Sequence, residues 1–145
     1  MTASNRAIVQ QLFVDGLNNH DISVVRNLMS DSTYHLPLVG ELRGQPLMQF
    51  FDNLFVAFPD LKRNVDEQLT DGLRHVVTRW TMTGTHEGEF LGIAPTGKRI
   101  CITGISIHLI AGGKIVQEWH QWDSLGVMQQ LGVVPTIEFE LKAAA

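Results

Sequence analysis

The chain has 145 residues, 44% of them hydrophobic and 18% charged, with a formal net charge of -4 and a pI near 5.8. That length suits one domain, residues 1–145, whose single core buries roughly two thirds of the surface exposed by the unfolded chain. The acidic balance, without any run of Lys or Arg, speaks against nucleic acid and anionic membrane as partners, and a lone cysteine, Cys101, rules out an intramolecular disulfide.

The N-terminus carries no basic-then-apolar leader pattern, and no apolar stretch approaches membrane-spanning length, so a soluble, unprocessed, cytoplasmic protein is expected. Thr2 or Ser4 can cap a first helix, in which Ile8, Val9, Leu12, Phe13 and Leu17 recur at helical spacing. Asp21 can cap a second, shorter helix with Val24, Val25, Leu28 and Met29 facing inward. Residues 32–36 are β-prone and stopped by Pro37, which suits an edge or mouth strand bearing His35. A third helix follows from Gln45, with Pro46 in its first turn and an apolar stripe of Leu47, Phe50, Phe51, Leu54, Phe55 and Phe58.

The period then changes to alternation, giving strands near 61–70, 73–86, 99–110 and 114–123. Asp71-Gly72 marks one hairpin turn and Ala111-Gly112-Gly113 another, while the Gly-rich loop 87–98 is a natural pocket rim. Ser124 opens a final helical turn or two, stopped by Gly132 and Pro135; the tail 137–141 has no clear pattern. Helices followed by consecutive hairpin strands make an α+β fold, with helices on one face of a bent sheet and a pocket between the layers.

The last hairpin holds most of the reactive side chains: Ser106, His108, Gln117, Glu118, His120, Gln121 and Asp123, with Trp119 and Trp122 among them. A two-residue turn at Gly112-Gly113 places His108 on the face of Gln117, Trp119, Gln121 and Asp123. A three-residue loop with a bulge instead groups His108 with Glu118, His120 and Trp122 over an aromatic floor, the ingredients of acid/base chemistry near neutral pH. The pattern also fits polar residues on a solvent-facing or dimer-facing surface. His75 and His86 read as exposed strand-end residues, Trp80 and Met82 as core or pocket wall opposite Arg79, and Cys101 as an inert buried thiol. Two histidines and a carboxylate could also ligate a metal, but the expectation is a site without metal or cofactor. No serine elbow, phosphate loop or dinucleotide fingerprint is present.

In order along the chain come Phe58-Pro59-Asp60-Leu61, then Thr83-Gly84-Thr85-His86-Glu87-Gly88-Glu89-Phe90-Leu91-Gly92-Ile93-Ala94-Pro95-Thr96-Gly97-Lys98, then Gly113-Lys114-Ile115-Val116-Gln117-Glu118-Trp119, Asp123 and Gln130-Leu131-Gly132. This text resembles the SnoaL-like polyketide (ester) cyclases of the nuclear transport factor 2-like superfamily. The resemblance implies a cone-shaped, curved antiparallel sheet with three N-terminal helices on its concave face, usually dimeric through the sheet. The apolar alternation of Cys101, Ile105, Ile107 and Leu109 agrees with such a dimer.

It further implies a cofactor-independent enzyme that removes a proton α to an ester and guides an intramolecular aldol-type ring closure, or a closely related lyase or isomerase step, on a small apolar carbonyl or ester compound. The family's catalytic histidine matches His108, which supports the second register, and its acid/base aspartate falls at His120. Asp123 matches a second family aspartate, Ser106 stands where the family has a glutamine, and Leu36 where it has an asparagine. The expected site is thus His120 as base, His108 as orienting or oxyanion donor, Asp123 and Glu118 as supporting partners, and His35, Ser106, Trp80, Trp122, Phe90, Leu17 and Leu36 around the substrate. Two other readings are a water-activating hydrolase, with the water held by Asp123, and a non-catalytic binding or dimerisation module.

Overall fold

A computed structural model describes residues 4–136 and 138–141. Ser4 caps α1 (Asn5–Gln11) by accepting from the Ala7 amide, and the same rod continues as a π-helical stretch, Leu12–Asn18. Leu12, Phe13, Gly16 and Leu17 are buried along it. α2 (Ile22–Met29) starts at Asp21, whose carboxylate accepts from Ser23, and buries Val25, Leu28 and Met29. α3 (Gly44–Ala57) admits Pro46 because amides in a first turn have no intrahelical partner. α4 (Ser124–Gln130) follows the last strand.

The six strands are β1 (Thr33–Leu36), β2 (Gly40–Arg43), β3 (Lys62–Thr70), β4 (His75–Thr85), β5 (Arg99–Ala111) and β6 (Lys114–Trp122), in the spatial order β2-β1-β6-β5-β4-β3. The expectation of a wholly antiparallel sheet is corrected: β1 runs parallel to β6, pairing Tyr34 with Glu118, and the other pairs are antiparallel. The helical segment between β2 and β3 and the two long hairpins separate β1 from β6 in sequence, so their pairing is free of the hairpin constraint.

Alternation along β4 and β5 sends Val76, Trp80, Met82, Ile100 and Ile102 into one core cluster with Phe13, Leu47, Phe51 and Phe58 from the helices. Each fully buried Leu or Phe contributes roughly 1.5–3 kcal/mol to holding the layers together. The other face of β5 exposes Cys101, Thr103, Ile105 and Ile107, which corrects the expectation of a buried thiol. His86 is corrected in the opposite sense. It is buried, its Nδ1 accepts from the Thr96 amide, and its backbone ties both ends of loop 87–98 together through Gly97 and Lys98. Within that loop Leu91 and Gly92 take positive φ, turning the chain so that Phe90 folds back under Ile93 and into the core. Among the described residues no helix is long and apolar enough to cross a membrane.

Candidate functional site

Gly112 and Gly113, both at positive φ, make a two-residue turn that pairs Ala111 with Lys114 and Ile110 with Ile115. Val116 is then an extra residue in β6, and beyond this bulge Leu109 pairs Gln117, His108 pairs Glu118 and Ser106 pairs His120. The turn is that of the first sequence alternative, yet the bulge delivers the side-chain grouping of the second. Ser106, His108, Glu118 and His120 consequently all point inward and are buried, rather than lying on a solvent-facing surface.

His120 sits at the centre of this group. Its Nδ1 lies 2.6 Å from Ser106 Oγ and 3.4 Å from Glu118 Oε1, and Ser106 Oγ accepts from the Trp80 indole N–H at 3.0 Å. The imidazole stacks on Trp80, with centroids 5.1 Å apart and planes 16° apart, and Tyr34 approaches it at 5.3 Å. Behind Glu118, His108 Nδ1 faces Oε2 at 3.6 Å, an ion-pair separation rather than a hydrogen bond, and Phe13 closes the other side of His108 edge-on.

The electrostatics follow from burial. Desolvation pushes the His120 pKa down to about 4 against the pull of Glu118, and the positive charge of Arg63 adds to the depression, so the ring is neutral at neutral pH. Burial alone would push the Glu118 carboxyl up, but the flanking imidazoles, His108 foremost, hold it well below the usual carboxylate range. Burial and the Glu118 charge raise the Tyr34 phenol, which keeps its hydroxyl protonated and able to donate.

His120 opens onto a small apolar cavity of about 30 Å³, room for a water or two, bounded by Tyr34, Leu36, Trp80, Phe90 and Trp122. Phe50, Leu54, Phe58, Arg63, Met82, Ile100, Ile102 and Val127 complete its walls. Of the expected site residues, Trp80, Trp122, Phe90, Leu36 and His120 line this cavity, while Ser106, Glu118 and His108 stand behind it.

Three lie away from this cavity. Asp123 is exposed and caps α4, its Oδ1 accepting from the Gly126 amide, because β6 ends at Trp122 and the chain turns outward. His35 lies on the outer face of β1, stacked on Trp119 and bonded to Gln117; strand alternation gives the inward place to Tyr34 instead. Leu17 packs in the core of the π-helical stretch. The sequence reading missed Tyr34 and Arg63. Tyr34 was legible as the alternate neighbour of His35, whereas Arg63, on a strand whose other residues are mostly exposed, gave no signal. Among the described residues no three His, Cys, Asp or Glu side chains form a group that could hold a metal ion.

The fold is a curved-sheet α+β arrangement of the nuclear transport factor 2-like kind, with this polar cluster facing its interior. The chain belongs to the SnoaL-like polyketide cyclase family, whose sequence pattern matches residues 7–131. Among solved structures it is similar to AclR from Streptomyces galilaeus, provisionally assigned as a hydroxylase, with 26% identity and a TM-score of 0.81 over 95% of this chain and 87% of that one. A provisionally assigned SnoaL-like polyketide cyclase from Jannaschia Sp. CCS1 gives 26% identity and a TM-score of 0.81 over 90% and 93% of the two chains. TsrD from Streptomyces laurentii gives 29% and 0.77 over 91% and 100%. Among curated protein sequences none matches the chain.

Proposed function

We propose that the protein is a cofactor-independent cyclase that uses His120 as the base in an intramolecular aldol-type ring closure of a small, largely apolar carbonyl compound. The observation that carries this reading is a neutral, buried imidazole with one nitrogen held by the protein and its ring on the cavity wall. A carboxylate facing Nδ1 favours the tautomer that carries its proton there, which leaves the Nε2 lone pair for substrate. Nε2 takes the proton from the carbon α to the ester, and the electron pair moves onto the carbonyl oxygen as an enolate. The enolate carbon then bonds to the second carbonyl carbon, and the resulting alkoxide recovers the proton from the imidazolium.

Tyr34, held protonated and on the cavity wall, is the hydroxyl donor suited to the enolate oxygen. His108 has no place at the cavity, so its role is to hold Glu118 ionised rather than to donate to substrate. With Asp123 outside, the water-activating alternative loses the residue meant to hold its water. The apolar walls exclude bulk water, which favours return of the proton over leakage to solvent.

The test is His120→Ala on a panel of β-keto esters, following turnover and ligand affinity separately. A base of this kind contributes about 10²–10⁴-fold, so turnover should fall by that factor with affinity little changed. Unchanged turnover would remove His120 from the role, and a wild type inert on the whole panel would favour a binding module.

A further inference from the structure

Arg63 reaches from β3 into the cavity wall with only 5% of its surface exposed. Its guanidinium lies 4.3 Å from the Trp80 ring centroid and 5.6 Å from that of Phe13. Nη2 donates to the Met82 thioether at 3.8 Å, a weak acceptor, the neutral Tyr34 hydroxyl stands close enough to interact with the guanidinium, and Nε is buried without a partner. No carboxylate among the described residues forms an ion pair with it. Glu118, the acidic group of this interior, is instead placed between His108 and His120.

An arginine in this position is costly. A buried cation without a counter-ion loses its hydration, and a thioether, a neutral phenol and aromatic contacts return only part of the loss. The rings leave its in-plane N–H groups as the part that a ligand can reach, and that fork matches the two oxygens of a carboxylate. A fold that keeps such a group on the wall of its inner cavity has a use for an anion there.

We propose that Arg63 anchors a carboxylate of the ligand, so that the site takes an anionic carbonyl compound, a keto acid or an ester with one free carboxyl group. This rests on reading the inner cavity as the substrate site. The apolar body of such a ligand lies toward Phe50, Leu54 and Phe90. Those residues also wall an outer cleft of about 400 Å³ between α3 and loop 87–98, so their side chains form the partition that a larger substrate must displace.

The same anchor couples to His120. The Arg63 charge depresses the basicity of that imidazole, and a carboxylate seated on the guanidinium cancels the field. The ring then becomes a stronger base when a ligand of the right charge is bound, which adds a chemical check to the steric one.

The experiment uses the full chain, with benzoate and its neutral isostere benzamide as probes. Binding is measured calorimetrically, and the pH midpoint of the His120 ring is followed by NMR. The wild type should prefer benzoate by about tenfold or more, as a charge-assisted bidentate pair predicts. Arg63→Met, which keeps an apolar stem as far as the Nε position and removes the charged fork, should lose that preference while retaining its circular dichroism. Benzoate should raise the His120 midpoint in the wild type and leave it unmoved in the variant.

Affinities within threefold of each other, no binding of either probe, or a preference that survives in Arg63→Met would overturn the proposal. So would a neutral ester whose kcat falls in Arg63→Met at unchanged KM, since that assigns the guanidinium to the developing enolate. The benzoate preference should persist in His120→Ala, so failure of the anchor and failure of the proposed base are read separately.

Discussion

At the scale of single residues, His120 and Glu118 share an interior in which burial shifts the titration of both, and stability should therefore depend on pH. The unfolded histidine titrates near 6.5 and the folded one near 4, so the unfolded state takes up a proton first as the pH falls. The contribution of neutral burial is complete above about 6.5 and is lost between there and about 4, on the order of 3 kcal/mol for a shift of this size. Glu118, held below its usual range, adds a loss that begins only under its unfolded pKa of 4.5, in the same direction. Urea unfolding at pH 7.5 and pH 4.5 should show the wild type losing about 2–3 kcal/mol and His120→Gln losing clearly less. Equal losses in the two proteins would place the acid sensitivity elsewhere.

At the scale of elements, the β5–β6 hairpin decides the site, and it shows why sequence alone left two registers open. Ile115 faces inward at an odd position, while Glu118 and His120 face inward at even ones; the change of parity is the Val116 bulge. A period-2 reading assumes unbroken parity, and buried polar residues give it no hydrophobic marker by which to notice the break. The resemblance of the surrounding text favoured the correct grouping, whereas the turn itself has the other alternative's length. β2 went unread for a similar reason: four mostly exposed residues, Gly40–Arg43, carry no alternation.

The next strand places a second demand on this hairpin. Gly104 pairs with Trp80, and a Cβ built there collides with the indole at Cζ2, so glycine is required for space rather than for backbone freedom. Gly104→Ala should displace the ring that donates to Ser106 and stacks on His120, at a cost of about 1–3 kcal/mol for overpacking. Thermal unfolding reads the stability, and the shift of the His120 resonances reads the lost stacking. An unchanged melting temperature with unchanged His120 signals would mean that the core absorbs the methyl elsewhere.

At the scale of the whole molecule, helical and alternating periods, caps at Ser4 and Asp21 and the run of hairpins made most of the architecture legible. The parallel β1–β6 contact was not, because pairing between distant segments leaves no local signature. One surface remains to be accounted for. The outer face of the sheet exposes Ile105 at 51%, Ile107 at 39% and Trp119 at 38% of their surface, side by side on β5 and β6, with Ile107 and Trp119 directly paired. Arg79, paired with Ile105 and in an ion pair with Asp66, borders it on the β4 side, and an apolar patch on a sheet is a common seat for a partner. We propose that a second copy covers this face about a two-fold axis, which satisfies the same patch on both chains. Light scattering should then give twice the 16.2 kDa chain mass at micromolar concentration. Ile105→Lys should shift the protein to the monomer, because the substitution buries two like charges across the axis, and it should leave the inward-facing site and its pH response intact. A stable wild-type monomer, or a dimer indifferent to Ile105→Lys, would assign the exposed face to some other contact.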